Sequence, residues 1–298
     1  MKKKATLTIA LLWLCISTGN AATTFLEYNF DDLTLGNVPD WTPVADTGGS
    51  GLNAYALTTS PATFTCVQST LTDNPDDHAL QFNYFHGNSR VNNTTQFTVS
   101  STPATKWELL PTTFSTGVSS RIVVQIDTPV SWSDNDYYQY LSRYRLSNNG
   151  NDLFGMKYTA AGGTSFEANV TTSAGLQTLR VTQADIESQL GYSILGRSTV
   201  YTMSWDAATN NMELYVDGQS VGSMTTTGTI ALDAGYFYVG NENNTNWSRY
   251  GIYDDVKVWD GSLLSAEVMA DYNSLIPEPT VISLLIAGGT LGLLRKRK

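Results

Sequence analysis

A pair of carboxylates is the first catalytic site to look for in an acidic chain. Glycoside hydrolysis needs two carboxyl groups, roughly 5–9.5 Å apart, that flank the glycosidic bond. A strand supplies such a pair at positions i and i+2, which face the same way. None of the seven Glu between residues 22 and 276 has a strand carboxylate at i+2 or i+4. Asp254 and Asp255 are adjacent, so on a strand they are expected to point to opposite faces. The sequence therefore disfavours a hydrolase.

A candidate binding site lies in the run NDYYQYLSRYRLS, residues 135–147. If this run alternates as one strand, the residues expected to share a face include Tyr137, Gln139, Arg143 and Arg145. Aromatic rings stack on sugar faces, and guanidinium groups bind carboxylate or sulfate through two hydrogen bonds. The pattern predicts a site for an acidic polysaccharide. The alternative is that Arg143 and Arg145 pair with Asp or Glu on neighbouring strands.

The elements that must position these side chains are strands. Runs rich in Thr, Tyr, Val and Phe are separated by Gly, Asn, Asp and Pro clusters, which is typical of an all-β protein. Strands are predicted at residues 24–30, 62–69, 79–85, 94–99, 119–127, 136–146, 152–158, 164–171 and 176–181. A short helix is predicted to begin near Thr182, with Thr182 as its N-cap and Asp185 in its first turn.

The stretch 199–273 has the clearest pattern. In VYTMSW apolar residues alternate with polar ones, the period of a half-buried strand, so Trp205 is expected to be buried against a second sheet. Asp217-Gly218 predicts a tight hairpin turn, because Gly tolerates the positive φ that such a turn requires. An amphipathic helix is predicted from Ser262 to Asn273, and its apolar side would comprise Leu263, Leu264, Val268 and Met269.

In order, this stretch contains a strand ending in WD, a strand with YVDG, a strand with YVGN and the segment DDVKVWDGSLLSAEVMADY. The pattern positions of that closing segment are Asp254, Val256, Val258, Leu264, Ser265 and Glu267. The stretch resembles the laminin-G-like jelly rolls of the concanavalin A-like superfamily. The resemblance covers about 75 residues and implies an all-β jelly-roll β-sandwich over residues 22–275.

The resemblance implies three kinds of function. Domains of this family bind glycans on the concave sheet, so a non-catalytic protein that binds glycan or has a structural surface role is the leading hypothesis. Related domains hold calcium, for which Asp31, Asp32 and Asp254 are candidate ligands, although Asp also clusters in turns where it bonds its own backbone. Polysaccharide lyases of this fold use Tyr, His, Arg and Gln, and His78 and His86 are the two histidines. A lyase or glycoside hydrolase is therefore the alternative.

The N-terminus has the features of a secretory signal peptide. Three lysines at residues 2–4 precede an apolar run over residues 5–16, and small residues follow. Cleavage is predicted after Ala21, with Ala22 as the alternative position. The signal peptide is therefore assigned to residues 1–21, and the protein is expected to be exported.

The C-terminal segment 276–298 has three parts. A Pro-Glu-Pro turn precedes an apolar run, residues 280–294, which has no polar face and, as a helix of roughly 22 Å, is a minimal membrane span. Four cations follow, and they are expected to stay cytoplasmic. The residues that define the turn and the basic end are Pro277, Glu278, Pro279, Arg295, Lys296, Arg297 and Lys298. The arrangement resembles the PEP-CTERM sorting tail of Gram-negative exported proteins, which implies an exosortase-type membrane protease as partner.

The body between these segments is strongly acidic. Residues 22–276 hold 10 Lys and Arg against 26 Asp and Glu, a net charge of −16, which repels nucleic acid and anionic lipid surfaces. Cys66 is the one cysteine of the body, so no intramolecular disulfide can form there, and its alternation with Phe64 predicts burial. The protein is expected to be anchored by its C-terminal helix and, after processing, to reside in the cell envelope or extracellular matrix.

Overall fold

Two antiparallel sheets form the fold in the computed structural model of the protein, which describes residues 22–39, 42–51, 53–57, 64–72, 74–82, 90–92, 114–127, 138–146, 152–159, 163–230, 235–240 and 251–276. Within these residues one sheet, called sheet A, has nine strands, and the other, called sheet B, has eight. The all-β sandwich expected from the sequence is confirmed.

The strands follow one another along the chain with only two helices among them in the described residues. They are β1 (Thr23–Tyr28), β2 (Gly36–Val38), β3 (Thr42–Val44), β4 (Ala54–Leu57), β5 (Phe64–Gln68), β6 (His78–Phe82), β7 (Arg90–Asn92), β8 (Gly117–Gln125), β9 (Tyr138–Leu146), β10 (Asp152–Thr159), β11 (Ser165–Thr172), β12 (Gly175–Thr182), β13 (Ser198–Asp206), β14 (Asn211–Val216), β15 (Gln219–Thr225), β16 (Gly235–Gly240) and β17 (Gly251–Asp260). The helices are α1 (Gln183–Leu190) and α2 (Ser265–Leu275).

Sheet A has the strand order β15-β14-β13-β8-β17-β6-β5-β2, and β1 also pairs with β17. Sheet B has the order β12-β11-β10-β9-β16-β7-β4-β3. Strands that are distant along the chain, such as β8 and β17, are therefore neighbours in the middle of a sheet. The short strands β2, β3, β4 and β7 were not expected, because three or four residues are too few to show an alternating pattern. The predicted strand at 94–99 lies outside the described residues.

The core lies between the two sheets, where alternate side chains of each strand meet. Trp205 is completely buried in it, and its indole Nε1 donates a hydrogen bond to Thr226 Oγ1 at 2.8 Å. Cys66 is buried as well, and desolvation by that burial is the main reason that its pKa is raised to about 11. Both expectations about burial are confirmed.

The hairpin turn between β14 and β15 has the predicted form. Asp217 and Gly218 have φ angles of 47° and 75°, so both central residues adopt the left-handed region that a two-residue type I′ turn requires. Asp217 is also buried, and its Oδ1 accepts a hydrogen bond from the backbone N–H of Val200 at 2.8 Å. The turn is therefore tied to the neighbouring strand β13.

Helix α1 begins as the sequence indicates. The Oγ1 of Thr182 accepts a hydrogen bond from the N–H of Asp185 at 3.1 Å, as an N-cap does. The helix ends at Gly191, which has a φ of 80° and donates its N–H to Glu187 O at 2.8 Å. α1 packs where the edge strands β12 and β15 meet.

Helix α2 begins three residues later than expected, at Ser265 rather than Ser262. The N–H of Leu263 donates to the hydroxyls of Ser119 and Ser204 on the outer face of sheet A, which keeps this segment out of the helix. The predicted apolar side also divides. Leu263 and Val268 are buried with Tyr215 and Trp259, whereas the residues left exposed are Leu264 and Met269.

Neither of the helices in the described part of the chain is long and apolar enough to cross a membrane. The predicted signal peptide, residues 1–21, and the sorting tail beyond Ile276 lie outside the described residues.

Candidate functional site

The outward-facing side chains of β9 to β12 form a polar surface on sheet B. We call it the polar face and define it by Arg143, Asp152, Lys157, Glu167, Asn169, Thr178 and Arg180. The inward-facing positions of the same strands hold apolar core residues, including Phe154, Phe166 and Val170. Alternation therefore places these polar side chains on the other side of the sheet from the core. Asp152 is the exception, because the register shifts between Asp152 and Phe154 and the Asp152 carboxylate pairs with the outward-facing Arg143.

Three charged residues form one row across the polar face. Glu167 of β11 lies opposite Lys157 of β10 and Arg180 of β12. Its Oε2 is 2.8 Å from Lys157 Nζ, and its Oε1 accepts from Arg180 Nε at 2.7 Å. The glutamate side chain is 2% exposed, whereas the lysine is 20% and the arginine 45% exposed. The carboxylate is thus buried beneath two cations that reach solvent.

A second ion pair lies on β9 and β10. Arg143 is buried, and its Nε donates to Asp152 Oδ1 at 2.6 Å. Of the two alternatives that the sequence left open for Arg143, the structure shows pairing with a carboxylate of the neighbouring strand. Gly155 separates Arg143 from Asn169, so this position between two polar residues carries no side chain.

The single alternation expected along residues 135–147 is interrupted. The register between β9 and β10 shifts after the pair Ser142–Met156, so that Tyr140 lies opposite Lys157 and Gln139 opposite Tyr158. The shift gives Gln139 a register position opposite a core residue, unlike Arg143, which lies opposite Gly155. Tyr137 and the side chains of Gln139 and Arg145 lie outside the described residues.

The candidate calcium ligands are engaged in other contacts. Asp31 Oδ1 accepts the N–H of His78 at 3.0 Å, and Asp254 Oδ2 accepts the hydroxyl of Ser69 at 2.5 Å. Asp32 Oδ2 accepts the N–H of Ala45 at 3.4 Å. Across the described ranges, no group of three or more His, Cys, Asp or Glu is arranged to hold a metal ion. Asp31, Asp32 and Asp254 as calcium ligands therefore stay a prediction.

Asp254 and Asp255 occupy a β-bulge, which corrects the expectation of simple alternation. The register of β17 against β8 shifts between Asp254 and Lys257, and Asp255 has a φ of 34°. Burial raises the pKa of the Asp254 carboxyl well above its usual range, and the negative charge of Asp255 adds to this. Burial also raises the pKa of Asp255 to about 6, while the Arg121 guanidinium opposes the rise.

Arg121 explains why an acidic bulge is tolerated here. It is buried on the outer face of sheet A, with its Nη1 3.0 Å from Asp271 Oδ2 of α2 and its Nη2 3.7 Å from Asp255 Oδ1. Its guanidinium also lies 6.0 Å from the ring centre of Trp259. The cluster connects a strand, a bulge and a helix, so it has a structural role in holding α2 on the sheet.

The remaining candidates for catalysis are not brought together in the described residues. His78 begins β6 beside Asp31, away from the polar face. His86 lies outside the described residues. Sequence reasoning missed Lys157, Glu167 and Arg180, although a signal was present: each alternates with apolar residues in its strand. What could not be read from the sequence was the register that places them side by side.

Comparison with protein families identifies the kind of domain. Residues 130–269 match the laminin-G-type family model that is described as the concanavalin A-like lectin/glucanases superfamily. The match covers just under half of the chain, and this part is similar to a concanavalin A-like lectin/glucanase domain. None of the curated proteins matches the sequence.

Solved structures with similar folds include binding domains and an enzyme. The binding domain of Paraclostridial Mosquitocidal Protein 1 has a TM-score of 0.55 at 14% identity, covering 84% of this chain and 52% of that one. The binding domain of botulinum neurotoxin serotype D/C has a TM-score of 0.53 at 12% identity, covering 86% and 53%. The sialidase of Trypanosoma rangeli has a TM-score of 0.50 at 12% identity, covering 86% and 34%. The chain thus spans about half or less of each relative, and at these identities the likeness concerns the fold alone.

Proposed function

We propose that the protein is an exported, non-catalytic component of the cell envelope or extracellular matrix that binds an acidic polysaccharide on the polar face. The concanavalin A-like lectin/glucanase domain supports glycan binding as a class of function. The observation that carries the proposal is the row Lys157–Glu167–Arg180, in which a buried carboxylate fixes two partly exposed cations.

The row suits an acidic ligand for two physical reasons. Ion pairs to a buried Glu167 hold Lys157 and Arg180 in place on rigid strands, so little side-chain freedom is lost when a ligand binds. The exposed N–H groups of Arg180 can donate to a carboxylate or sulfate oxygen. The row has two cations and one carboxylate, so its net charge is positive although the body has a net charge of −16. It therefore attracts anions locally. The ligand-binding role that the sequence suggests for Tyr137, Gln139 and Arg145 stays a prediction, whereas Arg143 is buried against Asp152.

The test compares two arginines in matched environments. Arg180 is 45% exposed and pairs with the buried Glu167, and Arg197 is 42% exposed and pairs with the buried Asp217 at the opposite end of α1. Binding of alginate, dextran sulfate and neutral dextran would be measured at low and high salt. Arg180→Gln should weaken binding of the acidic polymers about tenfold, the value of one charge-assisted hydrogen bond, and should reduce the salt dependence. Arg197→Gln should leave binding unchanged.

Equal effects of the two substitutions would contradict the proposed location. If the wild-type protein binds none of the acidic polymers more tightly than neutral dextran, the proposed ligand class is wrong.

The alternative is a glycan-active enzyme, either a polysaccharide lyase or a glycoside hydrolase, on the same fold. A panel of polysaccharides would be incubated with the protein and followed by reducing-end release and by the absorbance of unsaturated products. Turnover of any of them would replace the non-catalytic proposal. Glu167 gives this alternative little support, since both of its oxygens are held by cations.

We also propose that an exosortase-type protease sorts the protein through its C-terminal tail, residues 276–298. Replacing Pro277, Glu278 and Pro279 together with Ala should leave export intact and keep the tail attached. Intact masses of the mature proteins from the native host measure this directly. Identical masses for wild type and the triple variant would exclude the motif as a processing signal.

A further inference from the structure

Helix α2 presents an uncharged surface in an otherwise acidic body. Both of its acidic side chains already have partners. Glu267 accepts the N–H of Leu264 at the start of the helix, at 2.7 Å, and Asp271 pairs at 3.0 Å with Arg121 of the sheet beneath the helix. The residues that remain exposed, which we call the α2 face, are Leu264, Ser265, Ala266, Met269, Ala270, Asn273 and Ser274. None of them carries a charge, although the body has a net charge of −16.

The chain beyond α2 keeps this helix close to the predicted membrane segment. α2 ends at Leu275, and the apolar run begins at Thr280, so only four residues connect them. Four extended residues span at most about 14 Å. While the apolar run is in the membrane, α2 therefore cannot lie farther from the bilayer surface than this link allows.

The start of the domain lies on the same side. Ala22, the first residue after the predicted cleavage position, packs against the apolar cluster beneath α2, which comprises Tyr215, Trp259, Leu263 and Val268. A Cβ placed on Gly261 would lie 3.0 Å from the Cα of Ala22, so the two backbones are in contact. Both segments that are predicted to insert in the membrane therefore connect to the domain next to α2.

We propose that the α2 face is the surface by which the anchored protein rests on the lipid headgroups, with the polar face of sheet B directed away from the bilayer. The inference rests on the proposed anchoring by the tail. Anionic headgroups repel a body of this charge, and the α2 face is a surface that can approach them without bringing exposed carboxylates near. Because sheet B lies on the other side of the sandwich, the polar face stays accessible to a polysaccharide during anchoring.

The test places one fluorescent label on each side of the sandwich in the mature full chain, residues 22–298, whose one native cysteine is Cys66. Ala270→Cys lies on the α2 face, and Leu176→Cys is the matched control, an exposed position on the outer face of sheet B. The buried Cys66, with its raised pKa, should react slowly with the labelling reagent. Vesicles of zwitterionic and anionic lipid would carry a nitroxide on their headgroups as a quencher.

We expect several-fold stronger quenching at position 270 than at position 176, in vesicles that carry the protein on flotation. Ser274→Cys should repeat the result for position 270. Deleting residues 277–298 should abolish flotation and reduce quenching at position 270 to the level of position 176. Unfolding midpoints of the labelled proteins should match that of wild type.

Two results would overturn the inference while leaving anchoring intact: equal quenching at the two positions, or stronger quenching at position 176, in vesicles that float with the protein. The label at position 270 could instead be protected from quenching in detergent, with protection that rises with protein concentration. That result would assign the α2 face to a second copy of the chain. Failure of the full chain to float would reject the anchoring itself, and this inference with it.

Discussion

The outer faces of the two sheets use the same charged groups in opposite arrangements. On sheet A, the cation Arg121 is buried beneath the carboxylates of Asp255 and Asp271. On sheet B, the carboxylate of Glu167 is buried beneath the cations Lys157 and Arg180. The sign of the buried group decides which charges reach solvent. On sheet A the carboxylates bind α2 through Arg121, whereas on sheet B the two cations are exposed to solvent. An ion cluster is therefore a structural anchor or a candidate binding surface according to which partner reaches water.

The largest expected effect tests the anchor on sheet A. Arg121→Met removes the cation and leaves Asp255 and Asp271 close together and partly buried, so we expect a loss of about 3–5 kcal/mol in the free energy of unfolding. Urea denaturation measures this loss. The double substitution Arg121→Met/Asp271→Asn is the control and should recover part of the loss, because one unpaired carboxylate is removed. A change below about 1 kcal/mol for Arg121→Met would mean that the cluster does not anchor α2.

The corresponding substitution on sheet B should cost less. Glu167→Gln removes two charge-assisted pairs, for which we expect a loss of about 1.5–3 kcal/mol. The loss is smaller than on sheet A because the freed side chains, Lys157 and Arg180, can turn to solvent. Urea denaturation at the same pH gives the comparison. If Glu167→Gln destabilises the protein more than Arg121→Met does, the distinction between anchor and open surface fails.

The acidic bulge on sheet A should make the stability of the protein depend on pH. The pKa of Asp255 is raised to about 6 in the folded protein, mainly by burial, whereas an unfolded Asp titrates near 3.9. The folded state therefore holds this proton more tightly. The associated stability is present below about pH 4 and is lost as the pH rises through about 6, a change of about 3 kcal/mol.

Unfolding free energies of wild type and Asp255→Asn at a series of pH values measure this loss. Asp255→Asn should flatten the pH dependence, because it removes the carboxyl whose pKa is raised. A pH dependence that Asp255→Asn leaves unchanged would show that other groups cause it.

The smallest expected difference compares one glycine from each sheet. Gly218 and Gly163 both lie in hairpin turns with positive φ, at 75° and 96°, so replacing either with Ala strains the backbone by about 1–2 kcal/mol. A Cβ at Gly163 meets no atom within 4 Å, whereas a Cβ at Gly218 lies 3.0 Å from Met269 Sδ of α2. Gly218→Ala should therefore cost about 1 kcal/mol more than Gly163→Ala. Equal losses would show that the Met269 side chain moves aside without cost.

Sequence patterns of period two predicted much of this fold. The alternation around Trp205 and the Asp217-Gly218 turn each depend on a few neighbouring residues, and the structure confirms both. Thr182 as the cap of α1 is another local signal that is confirmed.

Features that depend on pairing between distant strands could not be predicted in this way. The bulges at Ser142–Met156 and at Asp254 change which side a residue faces, and nothing in the local alternation marks them. The start of α2 is set by Ser119 and Ser204, which lie 144 and 59 residues away from Leu263 in the chain. The row of Lys157, Glu167 and Arg180 required the register of three strands.

The corner where β12 meets β15 affects how the protein behaves at high concentration. α1 lies over both strand edges, and Gln189 Nε2 donates a hydrogen bond to the backbone oxygen of Ser220. Gly222 brings the two sheets so close that a Cβ there would lie 2.7 Å from Val181 Cγ2. At the other edge of sheet B, Pro43 of β3 has no N–H to offer. Strand edges that are covered, or that lack N–H donors, give another molecule little backbone with which to extend a sheet. They therefore guard the protein against strand-to-strand aggregation at high concentration.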